Sequence, residues 1–225
     1  MAGAMLLAAS CAAMATPVPP ACADPSARAA GLVMVPGERS LPELAVPPAA
    51  PDGDGILLSD MAWLQGPCAD GVHASRMGVI FFDDGAAFAA GQDGRFTHMP
   101  RLAGLTNFGG GPLSGEHPPM EQARFIMASN VMTTTIANEK RSLDVGLWQA
   151  ADGYVVAAFT RRGGRFGAPV ELLRSTRPIR SVTYFPAPDA NSGRLGLVMA
   201  DEAGTALVGL DWTHAALSRR LMAAE

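Results

Sequence analysis

The chain has 225 residues, 17 basic and 21 acidic, for a net charge of −4, and is 48% hydrophobic but only 6% aromatic. That hydrophobic content excludes a disordered tail, and the length excludes several large domains. One lysine, Lys140, beside sixteen arginines in a mildly acidic chain argues against general nucleic-acid binding.

Residues 1–23 contain no Asp, Glu, Lys or Arg. The apolar run Ala2 to Ala15 suits the hydrophobic region of an export signal and is too short to span a bilayer. Two processing readings stand side by side. In one, cleavage follows Ala21, Cys22 and Ala23, an A-x-A site, and the mature chain starts at Asp24. In the other, Leu7, Ala8, Ala9, Ser10 and Cys11 resemble the lipobox of a bacterial envelope lipoprotein precursor, a resemblance confined to the signal region. It implies acylation at Cys11 and residence on the periplasmic face of a membrane; without it the chain is periplasmic or secreted. Lipidation leaves Cys22 and Cys68 as an even pair, expected to form a disulfide in an oxidising compartment, whereas A-x-A cleavage leaves Cys68 alone. An inert buried thiol is the plain alternative for Cys68.

Half of the 18 prolines, positions 17, 19, 20, 25, 36, 42, 47, 48 and 51, fall within 35 residues. Fixed in φ and lacking backbone donors, residues 17–55 read as an extended tether reaching on the order of 100 Å at ~3.1 Å per residue. Leu32 to Val35 suits one edge strand inside it.

Residues 56–225 are enough for one domain, and hairpins dominate it. Met77 to Phe82, Ala86 to Ala90 and Arg95 to Met99 are separated by Asp-Gly turns and predict a meander. Leu143 to Gln149 with Tyr154 to Phe159, and Leu195 to Ala200 with Thr205 to Trp212, predict two more antiparallel pairs. Pro178 and Pro186 punctuate a further strand at Val182 to Phe185. The spacing of Ala123, Ile126, Met127 and Val131 predicts a helix over Glu121 to Met132, with a strand from Arg124 as the alternative. Thr213 to Ala224 reads as a helix capped by Thr213, with Leu217 and Leu221 four apart. Strands without crossover helices predict a mainly β fold, an antiparallel sandwich or barrel with a short C-terminal helix. The turn glycines Gly85, Gly153 and Gly204 are spaced too unevenly for propeller blades.

The chemistry is sparse. Gly109 to Gly115 fits no phosphate loop, and no nucleophile elbow or H-E-x-x-H occurs, so no cofactor is expected. Asp52 to Gly55 opens like a calcium loop, but Leu57 and Trp63 stand where that loop requires Gly and Glu. Adjacent Asp83 and Asp84 suit hairpin-turn chemistry better than a carboxylate pair. Cys68 with His73 is the one neighbouring nucleophile and base. His98 with Met99, and His117 with Met120, offer the imidazole and thioether donors that select Cu(I), although methionine is also an ordinary core filler.

Charge is unevenly placed. Residues 24–84 carry nine acids and three arginines, while residues 85–225 carry twelve acids and fourteen basic residues. Arg161, Arg162, Arg165, Arg174, Arg177 and Arg180 face only Glu171 within twenty residues. In a polyproline-like segment, Arg174, Arg177 and Arg180 would line one edge suited to lipid headgroups or an anionic glycan. The sequence thus reads as an exported, lipid-anchored, non-catalytic β-rich envelope protein that binds a partner or ligand. A small exported hydrolase and a periplasmic copper-binding protein are the competing readings.

Overall fold

The computed structural model describes residues 20–37, 44–45, 56–76, 78–102, 117–136, 139–185, 191–201 and 204–224. A 3-10 turn (Pro20–Cys22) and helix α1 (Pro25–Gly31) lead into β1 (Val33–Pro36), β2 (Leu44–Ala45), β3 (Ile56–Gln65) and β4 (Val72–Arg76). Next come β5 (Val79–Phe82), β6 (Ala87–Ala90), β7 (Phe96–His98), β8 (Ala123–Ile136), β9 (Glu139–Ala150), β10 (Gly153–Arg162) and β11 (Arg165–Phe166). The chain finishes with β12 (Val170–Ser175), β13 (Ile179–Phe185), β14 (Ser192–Asp201), β15 (Gly204–Thr213) and helix α2 (His214–Ala223).

Among the described residues every strand pairing is antiparallel, and the strands form three sheets that do not close into a barrel. The first has the order β1-β3-β15-β14-β13, the second β2-β12-β10-β9-β8 with β11 paired to β10, and the third β4-β5-β6-β7. The first two are the leaves of a sandwich. Leu143, Val145, Leu147, Val156, Ala158 and Leu172 from the second leaf meet Val182, Leu195, Leu197, Met199, Val208, Leu210 and Trp212 from the first. Each buried Val, Leu or Met among them contributes ~1.5–3 kcal/mol. Helix α2 adds Leu217 and Leu221 to this core, and Thr213 caps it by accepting from the Ala216 amide at 3.2 Å.

The first sheet is covered on its other face too. Leu64 of β3 and Val198 of β14 join the core of the third sheet, with Ile80, Phe82, Phe88, Cys22 and Leu32. The second sheet likewise buries Trp148, Val155, Ala157 and Phe159 on the face turned away from the sandwich core. Strands β10 and β14 therefore run through stretches in which every residue is buried, 155–160 and 195–200, and both read as continuous apolar runs rather than alternating ones.

Two expectations change. The segment expected to be helical over Glu121 to Met132 lies on strand β8. Bulges between Phe125 and Met127 and between Asn130 and Met132 each shift the alternation by one residue. Of the residues whose spacing suggested a helical stripe, Ala123 packs in the Trp148 cluster, Met127 packs against the sandwich core and Ile126 is exposed, so they share no face. Second, the expected tether is built into the fold from Pro20 to Pro36. Asp24 caps α1 by accepting from Ser26 and Ala27, β1 pairs along β3 as the edge strand, and Gly66 permits the end of α1 to pass, since a Cβ there would collide with the Gly31 carbonyl. Leu44–Ala45 pairs with β12. The lipobox residues, the Asp52–Gly55 turn and the Gly109–Gly115 stretch lie outside the described residues.

Candidate functional site

Cys22 and Cys68 are joined by a disulfide with Cα atoms 5.5 Å apart, closing a separation of 46 residues. Both lie in the core of the third sheet, and Cys68 in a disulfide has no thiolate to offer His73. Beside this bond sits Arg28, a residue that no motif singles out. Its side chain is 3% exposed, its Nε donates to the Cys22 carbonyl at 2.6 Å, and its terminal nitrogens donate to both oxygens of Asp84 at 3.1 and 2.7 Å. The guanidinium also lies over the rings of Phe82 and Phe88, 4.9 and 5.8 Å from their centroids. The hydrogen bond from Arg28 is the main cause that holds the Asp84 carboxyl below its ordinary pKa. This cluster locks the N-terminal segment onto the third sheet.

The three arginines expected to form one anion-binding edge are separated. Arg174 lies on β12 of the second sheet, Arg180 is exposed on β13 of the first, and Arg177 lies in the link between them. The segment crosses from one leaf to the other instead of running on as an extended helix. Ser175 makes the corner, its hydroxyl donating to the Arg177 carbonyl and accepting from the Arg177 amide. Arg177 is consequently buried, its guanidinium 4.5 Å above the Trp63 ring and donating to the Gly204 carbonyl at 2.6 Å. Arg174 donates to Glu171 and Asp152 at 2.9 and 3.1 Å, and the Glu171 contact is the chief cause that raises its pKa. Neither side chain presents a free guanidinium edge to an incoming anion.

The imidazole and thioether donors are divided as well. His98 ends β7 and lies against Phe88 of the third sheet, with ring centroids 5.4 Å apart. His117 stacks on Phe125 of the second sheet at 4.0 Å and 11°, and Met120 packs into the Trp148 cluster. The two halves of the expected copper set thus belong to different cores. Among the described residues, no group of three or more His, Cys, Asp and Glu side chains is placed to hold a metal. His98 does act on its surroundings: it helps lower the pKa of Asp24, after the amides of Ala27 and Ser26. It also lines an open groove of about 600 Å³ between α1 and β7, with Ser26, Ala29, Ala30, Arg95 and Thr97.

A second cavity, about 390 Å³, opens beside the β10–β11 hairpin and is lined by Thr160, Arg162, Arg165, Phe166 and Ala224. It takes up the first half of the arginine-rich run. Arg161 points to the other side of β10, where its Nε lies 3.5 Å from the fully buried Asp144. Arg162 and Arg165 remain on the cavity side, both exposed. Two guanidiniums can bind and orient an oxyanion but do not exchange protons near neutral pH.

Among the described residues, no helix is long and apolar enough to cross a membrane. No family model, curated protein or solved structure matches this chain.

Proposed function

We propose that the protein is an exported, lipid-anchored, non-catalytic envelope protein whose β-rich domain binds an anionic envelope component. The observation that carries this reading is the Cys22–Cys68 disulfide. Such bonds persist in oxidising compartments and are rare in the cytosol, so a staple buried in the core supports export. Its position also supports anchoring at Cys11. Ten residues lie between positions 11 and 22, and the eleven steps cannot span more than ~40 Å even when fully extended. An acyl group at Cys11 would therefore hold the domain close to the bilayer surface, a far shorter leash than the whole proline-rich stretch suggests.

The test is the intact mass of the protein recovered from its own membrane, with and without reduction. Acylation at Cys11 adds the mass of its lipid, and Cys11→Ser moves the protein to the soluble fraction. A protein that begins at Asp24, or that carries unmodified Cys11, refutes the anchoring.

A further inference from the structure

We propose that the groove between α1 and β7 takes the C-terminal end of an extended peptide, which adds to the free edge of β7 and places its carboxylate against Arg95. This rests on the reading above and identifies the anionic component as a peptide carboxylate. Strand β7 ends the third sheet, with β6 on its inner side. There the Met99 amide donates to the Ala87 carbonyl at 2.8 Å and the Gly91 amide donates to the Arg95 carbonyl at 2.6 Å. Backbone groups alternate in direction along an antiparallel ladder, so residues 95, 97 and 99 face β6, while the amides and carbonyls of Phe96 and His98 face away from it. On that outer side, the start of the strand is taken: Val33 bridges to Arg95, and the Met34 amide donates to the Gly94 carbonyl at 2.7 Å. Further along, no strand pairs with His98 among the described residues. The open edge leads into the groove of about 600 Å³, whose other wall is Ser26, Ala29 and Ala30 of α1, within the size range of small-ligand sites.

The geometry fixes which end of a peptide fits. A strand antiparallel to β7 exchanges two hydrogen bonds with His98 and then runs towards Arg95, where Val33 blocks further pairing, so it must end there. His98 and Arg95 are about 10 Å apart at ~3.3 Å per residue, so a peptide residue opposite His98 followed by one terminal residue brings a carboxylate within reach of the Arg95 side chain. That guanidinium is 82% exposed, and its Nε lies 3.8 Å from Asp93, beyond hydrogen-bond distance. Its planar fork suits a carboxylate. A parallel strand would instead set its terminal ammonium against Arg95. The other end of the groove is acidic, since Asp24 lies close enough to His98 for the two to interact electrostatically, which favours the same direction.

The experiment uses the full chain carrying Cys11→Ser, so that no acyl group contributes, with the disulfide intact. N-acetyl-alanyl-alanine has one residue to pair with His98 and a terminal residue with a free carboxylate. It is titrated while the His98 backbone amide resonance is followed, beside the same peptide with its carboxylate amidated. The expected result is a saturable His98 shift with a millimolar Kd, weakened about fivefold or more by amidation and by Arg95→Gln. Ala30→Phe, at an exposed alanine of the groove wall, fills the groove with every charge in place and removes the shift. Arg95 is exposed enough for Arg95→Gln to leave the fold intact, so that variant decides the matter even if Ala30→Phe does not fold. Arg180→Gln removes an exposed charge from the first sheet and changes affinity by less than about twofold. No saturable shift, binding that leaves His98 unmoved, equal affinity for acid and amide, or an equal loss with Arg180→Gln overturns the proposal, as does folded Ala30→Phe protein that binds like wild type. Unmodified Cys11 in the native protein would refute the anchoring and leave this titration unaffected, whereas a failed titration leaves the anchoring standing.

Discussion

Replacing Asp84 with alanine strips the carboxylate from both terminal nitrogens of Arg28 while the Nε bond to the Cys22 carbonyl remains. The guanidinium stays where it is, 3% exposed between two phenylalanine rings, and its charge loses its counterion. Removing one partner of a fully buried pair costs ~3–5 kcal/mol. Asp84 is itself 38% exposed, so water reaches the vacated fork, and the discounted expectation is about 2 kcal/mol. Arg28→Met removes the charge together with the pair, leaves a flexible apolar chain among the rings and orphans the Cys22 carbonyl, for about 1–2 kcal/mol. The double variant should be no less stable than Arg28→Met, because a freed Asp84 is solvated. Urea unfolding of the four proteins at pH 7, with the disulfide intact, then gives a coupling energy of about 2 kcal/mol.

The pH dependence follows from the direction of the Asp84 shift, which is caused first by the Arg28 hydrogen bond. The folded-state pKa is depressed, so the pair's contribution is complete above the unfolded-state value, near about 4, and is lost as the pH falls through the lower folded-state value. The gap between wild type and Asp84→Ala should therefore narrow below pH ~4. A coupling under about 0.5 kcal/mol at pH 7, or a gap that persists undiminished in acid, would refute the assignment of an ion-paired clamp.

Two further outcomes test the surrounding fold. Cys22→Ser with Cys68→Ser opens the 46-residue separation and should lower stability by about 4 kcal/mol by the loop-entropy estimate, measured by urea unfolding under oxidising conditions; a loss below about 1 kcal/mol counts against it. Leu221→Ala, at a residue 3% exposed in the sandwich core, should cost about 2–4 kcal/mol, whereas its neighbour Met222, 45% exposed, should tolerate alanine within about 0.5 kcal/mol, with thermal unfolding separating the two.

The hairpins were legible because their turns are local: Asp-Gly, or for β14 with β15 the short loop Asp201 to Gly204, sets a register between nearby apolar runs, and β5 to β7, β9 with β10, and β14 with β15 all follow from it. What was hidden depends on layers that no short window contains. Strand β3 places Trp63 in the sandwich core and Leu64 in the core of the third sheet, so its residues do not alternate between apolar and polar. Strands β4 and β12 and helix α1 carry no turn signal of that strength. Seven residues of α1 are too few for propensity to decide, and it is held by its Asp24 cap, the neighbouring disulfide and Arg28. The apolar spacing of Ala123, Ile126 and Met127 misled more actively, because on the bulged strand β8 those residues do not share a face.

Arginine shows the same limit on the functional side. By charge count, all six residues from Arg161 to Arg180 are equal, and only the spacing of the last three suggested an edge. The fold sorts them by partner. Arg161 is drawn to buried Asp144, Arg174 to two carboxylates, and Arg177 to an indole and a carbonyl. Those contacts use arginine's planar fork to join layers of the domain, as Arg28 does beneath the third sheet. Arg162 and Arg165 are direct cross-strand partners across the two-residue turn of the β10–β11 hairpin. A local surplus of charge in a sequence therefore says little about recognition until the strand register is known. Here the register, not the net charge, decides which arginines join layers of the domain.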